Sequence, residues 1–279
     1  MGNSSKNANR LIISPYAIWM GIFVIIPIAL VIYYAFTNAE GSFTFENLNS
    51  IITFKSTFWL SIELAFISTV LCLLLAYPLA YSISRMKAHR QQTMILLVML
   101  PMWMNFLIRT YAWMTILEGN GLINTFLRSL GHPGFHMINT NGAIILGMVY
   151  NFLPFMILPI YSVLTKIDPK TIEAAQDLGA NGATIFRRIV LPLSVPGMIS
   201  GITMVFVPAV STFIISKLLG GGKTNLIGDV IEMYFLGNAG EINYNIGAAL
   251  SLVLMLLILI SMGIMNHFDK EETGGGVMI

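Results

Sequence analysis

Six long apolar runs, separated by short polar segments, dominate the pattern of hydrophobic and polar positions along the chain. The runs cover, in order, residues 11–36, 58–83, 94–116, 142–164, 193–215 and 246–266. Each run can cross a bilayer as a helix, because a transmembrane helix needs about 20 predominantly apolar residues. The sequence therefore predicts an all-α, polytopic membrane protein with six transmembrane helices.

The composition agrees with this prediction. Of the 279 residues, 56% are hydrophobic and only 10% are charged, whereas a soluble domain usually carries about 25% charged residues. The net charge of +2 gives no reason to expect a nucleic-acid partner. The single cysteine, Cys72, lies inside an apolar run and excludes an internal disulfide. The first run is too long for a cleaved signal sequence and no small-residue cleavage site follows it, so we expect it to remain as an anchor.

Lysine and arginine are distributed unequally between the two sides of this topology. The segments on one side carry ten of these residues and those on the other side carry five. Positively charged loops stay in the cytoplasm, which predicts that both termini are cytoplasmic. We thus expect a cytoplasmic N-terminus at residues 1–10, a transmembrane domain at residues 11–267 and a cytoplasmic tail at residues 268–279.

Seven prolines and one glycine pair lie within the apolar runs. Proline removes a backbone donor and bends a helix, so the prolines together favour broken helices around a pathway, although each one alone is also compatible with simple curvature. Gly197 and Gly201 have the four-residue spacing of a close-packing helix face. The prolines are Pro27, Pro78, Pro101, Pro154, Pro159, Pro196 and Pro208.

The long polar segment before the fifth run has the pattern of a helix, a glycine turn and a second helix. Asp168 is a good N-cap, and Gly179 stands where a helix would end on a left-handed residue. Asn181 or Thr184 can cap the second helix, and Pro192 is expected to end it. Ile172, Ala175 and Leu178 are expected near one face of the first helix. The alternative is an amphipathic loop on the bilayer surface.

Glu173-Ala174-Ala175, then Gly179, then Ile189-x-Leu191-Pro192 resembles the EAA loop of the permease subunits of ABC importers. The resemblance implies a type I ABC importer permease fold, in which residues 168–191 form coupling helices that dock into an ATPase subunit. It also implies that the ATPase-coupling residues are Glu173, Ala174, Ala175, Asp177 and Gly179, with Glu173 and Gly179 carrying the coupling.

Segments elsewhere in the chain resemble one group of these permeases, the polyamine (spermidine/putrescine) permeases. They are Pro-Met-Trp-Met-Asn-Phe-Leu-Ile-Arg-Thr-Tyr at residues 101–111, Val-Ser-Thr-Phe at 210–213, and Leu-Leu-Gly-Gly-Gly-Lys at 218–223, followed by Leu-Ile-Gly at 226–228. The resemblance implies a multi-pass protein of the bacterial inner membrane. The implied partners are a paired homologous permease, two ATP-binding subunits and an extracytoplasmic substrate-binding protein.

The chemistry of a polyamine suggests a candidate substrate path, because ammonium groups favour aromatic faces and carboxylates. Trp103 and Tyr111 are eight residues apart, so they are expected near one face of the third span. Arg109 is unfavourable in a cation path, and we expect a carboxylate to neutralise it or the side chain to point away. The candidate path residues are Trp103, Asn105, Tyr111, Tyr150, Glu63 and Glu118, with Trp113 as a further aromatic. The alternatives are that the aromatics only mark the membrane interface and that Glu63 pairs with Arg109 to fix helix packing.

No catalytic, cofactor or metal site is predicted. Gly-Gly-Gly-Lys-Thr at 220–224 resembles a P-loop only superficially, since Lys217 occupies the position of the required first glycine. His132 and His136 are separated by Pro133 and Gly134, which break the helix that would align them. We therefore expect a transport subunit whose ATP hydrolysis occurs on its partners. The rival functions are an ABC permease for another small solute such as an oxyanion, and a secondary transporter or channel without an ATPase.

Overall fold

The computed structural model describes residues 15–16, 18–237, 240 and 242–274, and within this part of the chain almost all regular structure is helical. The predicted termini, including residues 1–10, lie largely outside the described residues. The helices are α1 (Ile18–Ala35), α2 (Glu46–Thr53), α3 (Lys55–Ser84), α4 (Ala88–Trp103), α5 (Phe106–Leu117), α6 (Leu122–Ser129), α7 (Asn141–Leu164), α8 (Pro169–Asp177), α9 (Gly182–Ser211), α10 (Ile214–Leu219), α11 (Ile227–Leu236) and α12 (Tyr244–Gly274).

Five of these helices are long and apolar enough to cross a membrane, and the count becomes six if α4 together with the helical stretch Phe106–Ser129 forms one span. This agrees with the predicted all-α class. The third apolar run is not one straight helix, however, because its two parts meet at an angle of 87°. The expectation of a single continuous span at residues 94–116 is therefore wrong.

Most of the prolines do not break their helices. Pro78, Pro154, Pro159 and Pro196 lie inside continuous helices, and the bend in the third run follows Pro101 by three to four residues. Pro192 does not end the second helix of the polar segment either. That helix passes through a π-helical segment at Phe186–Val190 and continues as the fifth span. Proline is tolerated in membrane helices where the freed carbonyl groups find other donors.

The chain divides into two compact units. The first contains the described residues up to Lys55 together with Val230–Leu256. Its core is formed by Ala35, Ala248, Ala249 and Leu252, which are buried and surrounded by partly buried apolar side chains. Small residues at these positions allow the helices to approach closely, as is common in membrane proteins.

The second unit contains Ser56–Asp229 and the described residues after Leu256. Its centre is the packing of α7 against α9 at the predicted glycine pair. A Cβ atom at Gly197 would lie 2.9 Å from the carbonyl oxygen of Pro159, and one at Gly201 would lie 3.2 Å from the carbonyl oxygen of Met156. The close-packing face predicted for Gly197 and Gly201 is thus confirmed.

Helix α9 is also attached to α3 near the start of the fifth span. The hydroxyl groups of Tyr77 and Ser194 lie within hydrogen-bond distance, at 2.8 Å. The ring of Phe186 meets the rings of Tyr77 and Tyr81 edge-on, with centroids 5.8 Å and 5.7 Å away. The π-helical segment of α9 is therefore held against α3 by aromatic and polar contacts.

Candidate functional site

The polar segment before the fifth span forms the predicted pair of helices, and its local signals explain why. The carboxylate of Asp168 accepts a hydrogen bond from the main-chain N–H of Lys170 at 2.9 Å and caps α8. Asn181 caps α9 in the same way, because its side-chain oxygen accepts from the main-chain N–H of Thr184 at 2.9 Å. Of the two predicted caps for the second helix, Asn181 is thus the one that forms.

Gly179 separates the two helices and adopts a φ of +81°. The N–H of Gly179 donates to the carbonyl of Gln176 at 2.8 Å, and the N–H of Ala180 donates to the carbonyl of Ala175 at 3.0 Å. These two bonds form a Schellman motif, which requires the left-handed conformation that glycine adopts without strain. The turn is therefore defined by hydrogen bonds.

The side chains of this helix pair are largely exposed. Glu173, Ala174 and Asp177 are exposed along α8, and Ala175 is half-buried. Leu178, which was predicted near one face together with Ile172 and Ala175, directly follows the last residue of α8, and its side chain is 89% exposed.

A second group of predicted residues lies around the bend between α4 and α5. Trp103 is the last residue of α4 and is 72% exposed, while Tyr111 lies on α5 and is 49% exposed. The expectation that the two share one helix face is wrong, because the 87° bend comes between them. Asn105 stands at the bend, where its side-chain oxygen accepts from the main-chain N–H of Leu107 at 2.8 Å and caps α5.

Two of the predicted aromatics do come together. The rings of Trp113 on α5 and Tyr150 on α7 meet edge-on with centroids 5.3 Å apart. Glu63 and Glu118 are both exposed. Glu118 follows the last residue of α5, and its main-chain carbonyl accepts from the side chain of Asn124 at 3.0 Å.

Arg109 is buried on α5 without the partner that we expected. Its guanidinium lies over the ring of Phe106, 5.9 Å from the centroid. Within the part of the chain that the structure describes, neither Nε nor Nη1 has a hydrogen-bond partner. Neither of these two atoms is therefore paired with Glu63 or another described carboxylate, and the alternative that the side chain is turned away from the path stays a prediction. Because both nitrogen atoms are inaccessible, a solute cannot reach them in this conformation.

Asn124 is a structural residue that the sequence interpretation missed. It is buried on α6, and besides Glu118 it bonds to both main-chain groups of Phe135, which donates at 2.7 Å and accepts at 2.9 Å. A polar residue at this position of a short amphipathic helix gives no special signal in the sequence. Its role follows from the rule that a buried amide needs partners.

Comparison with protein families and curated proteins gives matches along nearly the whole chain. The family described as "Binding-protein-dependent transport system inner membrane component" matches residues 1–273. The chain is 38% identical over 250 residues to the spermidine/putrescine transport system permease protein PotB of Haemophilus influenzae, covering 86% of each. It is 35% identical over 250 residues to the protein of the same name from Escherichia coli, covering 86% of this chain and 90% of that protein.

Comparison with solved structures supports the fold. A bacterial ABC transporter involved in the import of the acidic polysaccharide alginate superposes with a TM-score of 0.77 at 19% identity, over 96% of each chain. The MetNI methionine ABC transporter superposes with a TM-score of 0.60 at 18% identity, over 80% of this chain and 98% of that one. At these identities the likeness establishes the architecture of a type I ABC importer permease.

Proposed function

The chain belongs to the family of binding-protein-dependent transport system inner membrane components, and we propose that it is the permease subunit of an ATP-driven importer of polyamines. The observation that carries the cargo assignment is its 34–38% identity, over 86–92% of its length, to relatives named as spermidine/putrescine permeases. The bend at Trp103 and Asn105 supports the assignment, because it leaves an aromatic face and a polar side chain uncovered within an otherwise apolar run.

The proposed mechanism is alternating access driven by partner subunits. The exposed pair α8 and α9 couples to one ATPase subunit, with Glu173, Ala174, Ala175, Asp177 and Gly179 at or near the contact. Leu178 adds an uncovered apolar side chain to this surface. Closure of the ATPase subunits then moves α9, which is continuous with the fifth span. In this proposal the ATP hydrolysis takes place entirely on the partners.

The proposed location is the bacterial inner membrane, with residues 1–10 and 268–279 in the cytoplasm and the transmembrane domain at 11–267. The excess of lysine and arginine on one side supports this orientation. The complete importer adds a paired homologous permease and an extracytoplasmic binding protein. The binding protein delivers cargo at the side opposite to α8.

The proposed substrate path includes Trp103, Asn105, Tyr111, Tyr150, Glu63 and Glu118. Aromatic faces attract ammonium groups through cation–π contacts, and carboxylates pair with them. The Nε and Nη1 atoms of Arg109 are buried in the described conformation, so these two atoms offer no contact to an anion.

The cargo is tested by uptake into vesicles that contain the complete complex. Radiolabelled spermidine and putrescine should accumulate on ATP addition, whereas sulfate and phosphate should not. Trp103→Ala should abolish most polyamine uptake while the complex still assembles. The matched control is Trp19→Ala on α1, also an exposed tryptophan. Accumulation of an oxyanion, or uptake without any ATPase subunit, would refute the proposal.

The coupling role is tested separately by co-purification with the ATPase subunit. Glu173→Lys should reduce the amount of ATPase that is retained, because it reverses a charge on the exposed face of α8. Thr171→Lys introduces the same residue two positions earlier, and thus on the opposite side of the helix. If both variants retain the same amount of ATPase, Glu173 does not contribute to the contact with the ATPase subunit.

A further inference from the structure

A cavity of about 530 Å³ lies within the first unit, between the end of α1, the turn that follows it and the start of α12. Small-molecule sites usually measure about 300–1,000 Å³, so the cavity has the size of a ligand site. It is remote in sequence from both groups of residues that the proposed function uses. The lining residues are Tyr33, Tyr34, Thr37, Asn38, Ala39, Gly41, Ile242, Asn243, Tyr244 and Asn245.

Two asparagines hold the wall of the cavity in place. The side-chain nitrogen of Asn245 donates to the main-chain carbonyl of Tyr34 at 3.1 Å and also to that of Thr37. The side-chain nitrogen of Asn47 donates to the carbonyls of Ala35 at 3.2 Å and Thr37 at 2.8 Å. The carbonyl groups at the end of α1 are thus satisfied by side chains from two other elements, and the wall is preorganised.

The turn after α1 forms the opposite wall. The side-chain oxygen of Asn38 accepts from the main-chain N–H groups of Glu40 at 3.1 Å and Ser42 at 2.8 Å. Gly41 has a φ of +80°, and a Cβ atom there would lie 3.8 Å from the hydroxyl of Tyr33. The turn is therefore hydrogen-bonded, and it lies over one of the tyrosines that line the cavity.

Three tyrosine rings give the cavity its chemistry. The ring of Tyr34 lies 5.5 Å from that of Tyr33 and 6.2 Å from that of Tyr244, measured between centroids. All three side chains are exposed. Among the ten described lining residues none is basic, and Glu40 lies between two of them in the turn. The cavity thus offers aromatic faces and oxygen acceptors without a competing cation.

We propose that this tyrosine cavity binds primary ammonium groups. An aromatic face attracts a cation through its quadrupole, and the phenolic and amide oxygens accept the N–H bonds of an ammonium group. The inference rests on the proposed function insofar as the terminal ammonium of a polyamine is one source of this group. The ethanolamine headgroup of a membrane lipid is the other source, since the cavity is at the ends of two apolar helices.

The site is tested by photolabelling of the complete importer in lipid nanodiscs. The probe is a short alkyl diamine that carries a diazirine, and the reference is a diol of the same length with the same diazirine. In discs of phosphatidylglycerol alone, the diamine should label peptides that contain Tyr33, Tyr34 or Tyr244, and the diol should label them several-fold less. Equal labelling by both compounds, or no labelling by the diamine, would overturn the inference.

The source of the ammonium group follows from two competition arms. If spermidine suppresses the labelling and phosphatidylethanolamine in the disc leaves it unchanged, the polyamine is the occupant of the cavity. Labelling that falls when phosphatidylethanolamine is included identifies the lipid headgroup. Both results support an ammonium site.

Matched variants separate the aromatic contact from packing. Tyr244→Phe keeps the ring against Tyr34 and removes only one phenolic acceptor, so the diamine should label it more strongly than it labels Tyr244→Leu. Tyr244→Leu should weaken diamine binding about two- to fivefold, the amount expected for one partly exposed cation–π contact. Phe43→Leu removes an exposed aromatic outside the lining and should have no effect. An equal loss in Tyr244→Leu and Phe43→Leu would contradict the assignment.

Uptake measured on the same preparation distinguishes this inference from the proposed function. Polyamine uptake without specific labelling would overturn the ammonium site and leave the transport function intact. Specific labelling without polyamine uptake would overturn the cargo assignment and leave the ammonium site.

Discussion

The main-chain carbonyl oxygen of Pro159 lies 2.9 Å from the position that a Cβ atom would take at Gly197. The same Cβ would meet the Cα atom of Ile160 at 3.1 Å and a methyl group of Val163 at 3.0 Å. Two of these three neighbours are backbone atoms, which cannot move aside as a side chain can. The fourth and fifth spans are therefore in backbone contact at Gly197.

We predict that Gly197→Ala lowers the thermal stability of the purified protein in detergent. Overpacking of a close contact costs about 1–3 kcal/mol, which exceeds the gain of up to about 1 kcal/mol from the higher helix propensity of alanine. The control is Gly263→Ala on α12, where a Cβ would meet no atom within 4 Å. A melting temperature of Gly197→Ala equal to that of the control would contradict the close contact.

Asn105 is predicted to act through its cap on α5. Asn105→Ala should reduce polyamine uptake, because loss of an N-cap costs about 1 kcal/mol and loosens the bend next to Trp103. Asn105→Ser should recover part of this uptake, since serine caps a helix about as well as asparagine but lacks the amide that the proposed substrate path includes. Uptake rates in reconstituted vesicles are the measurement. Equal uptake by Asn105→Ser and Asn105→Ala would contradict the role of the cap.

Gly179 is predicted to tolerate substitution only by residues that accept a positive φ. Gly179→Val should lose most of the ATPase activity of the assembled complex, because a left-handed conformation costs an L-residue about 1–2 kcal/mol. Gly179→Asn should retain more activity, since asparagine enters this region more readily. Gly182→Ala serves as the control, with no positive φ and open space around the added Cβ. Equal activity of Gly179→Val and Gly182→Ala would show that the turn is not required.

Substitution of Arg109 is predicted to change the melting temperature and the uptake rate in different ways. Arg109→Met should leave the melting temperature unchanged or raise it, because an apolar side chain of similar length replaces a buried charge whose Nε and Nη1 have no partner. Uptake should nevertheless fall if the guanidinium gains a partner in another step of the transport cycle. A clear drop in the melting temperature would mean that Arg109 already stabilises the described conformation.

The parts of the fold that were predictable from sequence depend on local signals. Asp168, Gly179 and Asn181 fix the boundaries of α8 and α9 through capping bonds between residues no more than five apart in sequence, so the residue type alone predicts them. The close-packing pair in the fifth span is similar, because only glycine leaves a helix surface flat enough for backbone contact. Hydrophobicity over about 20 residues likewise predicts the five spans that pass as single helices.

The parts that were not predictable depend on tertiary contacts or on a boundary inside an apolar run. The bend between Trp103 and Phe106 was missed because apolar residues flank it, and an average over the run conceals Asn105. Pro101 and Asn105 together are a signal for such a bend, since proline near the end of one helix is followed by a good N-cap of the next. Arg109 was expected to be neutralised or turned away because a guanidinium is unfavourable in a cation path, and no local pattern reveals that it is buried on α5.

Helix α9 is continuous from Gly182 to Ser211, so the second helix of the exposed pair and the fifth span form one element. At 1.5 Å per residue this element is about 45 Å long, so a tilt of roughly 10° about one end would displace the other by about 8 Å. The ring of Phe186 contacts Tyr77 and Tyr81 near the N-terminal end of α9. In the proposed mechanism, a tilt about this contact turns a small displacement at Gly182 into a larger one at Ser211.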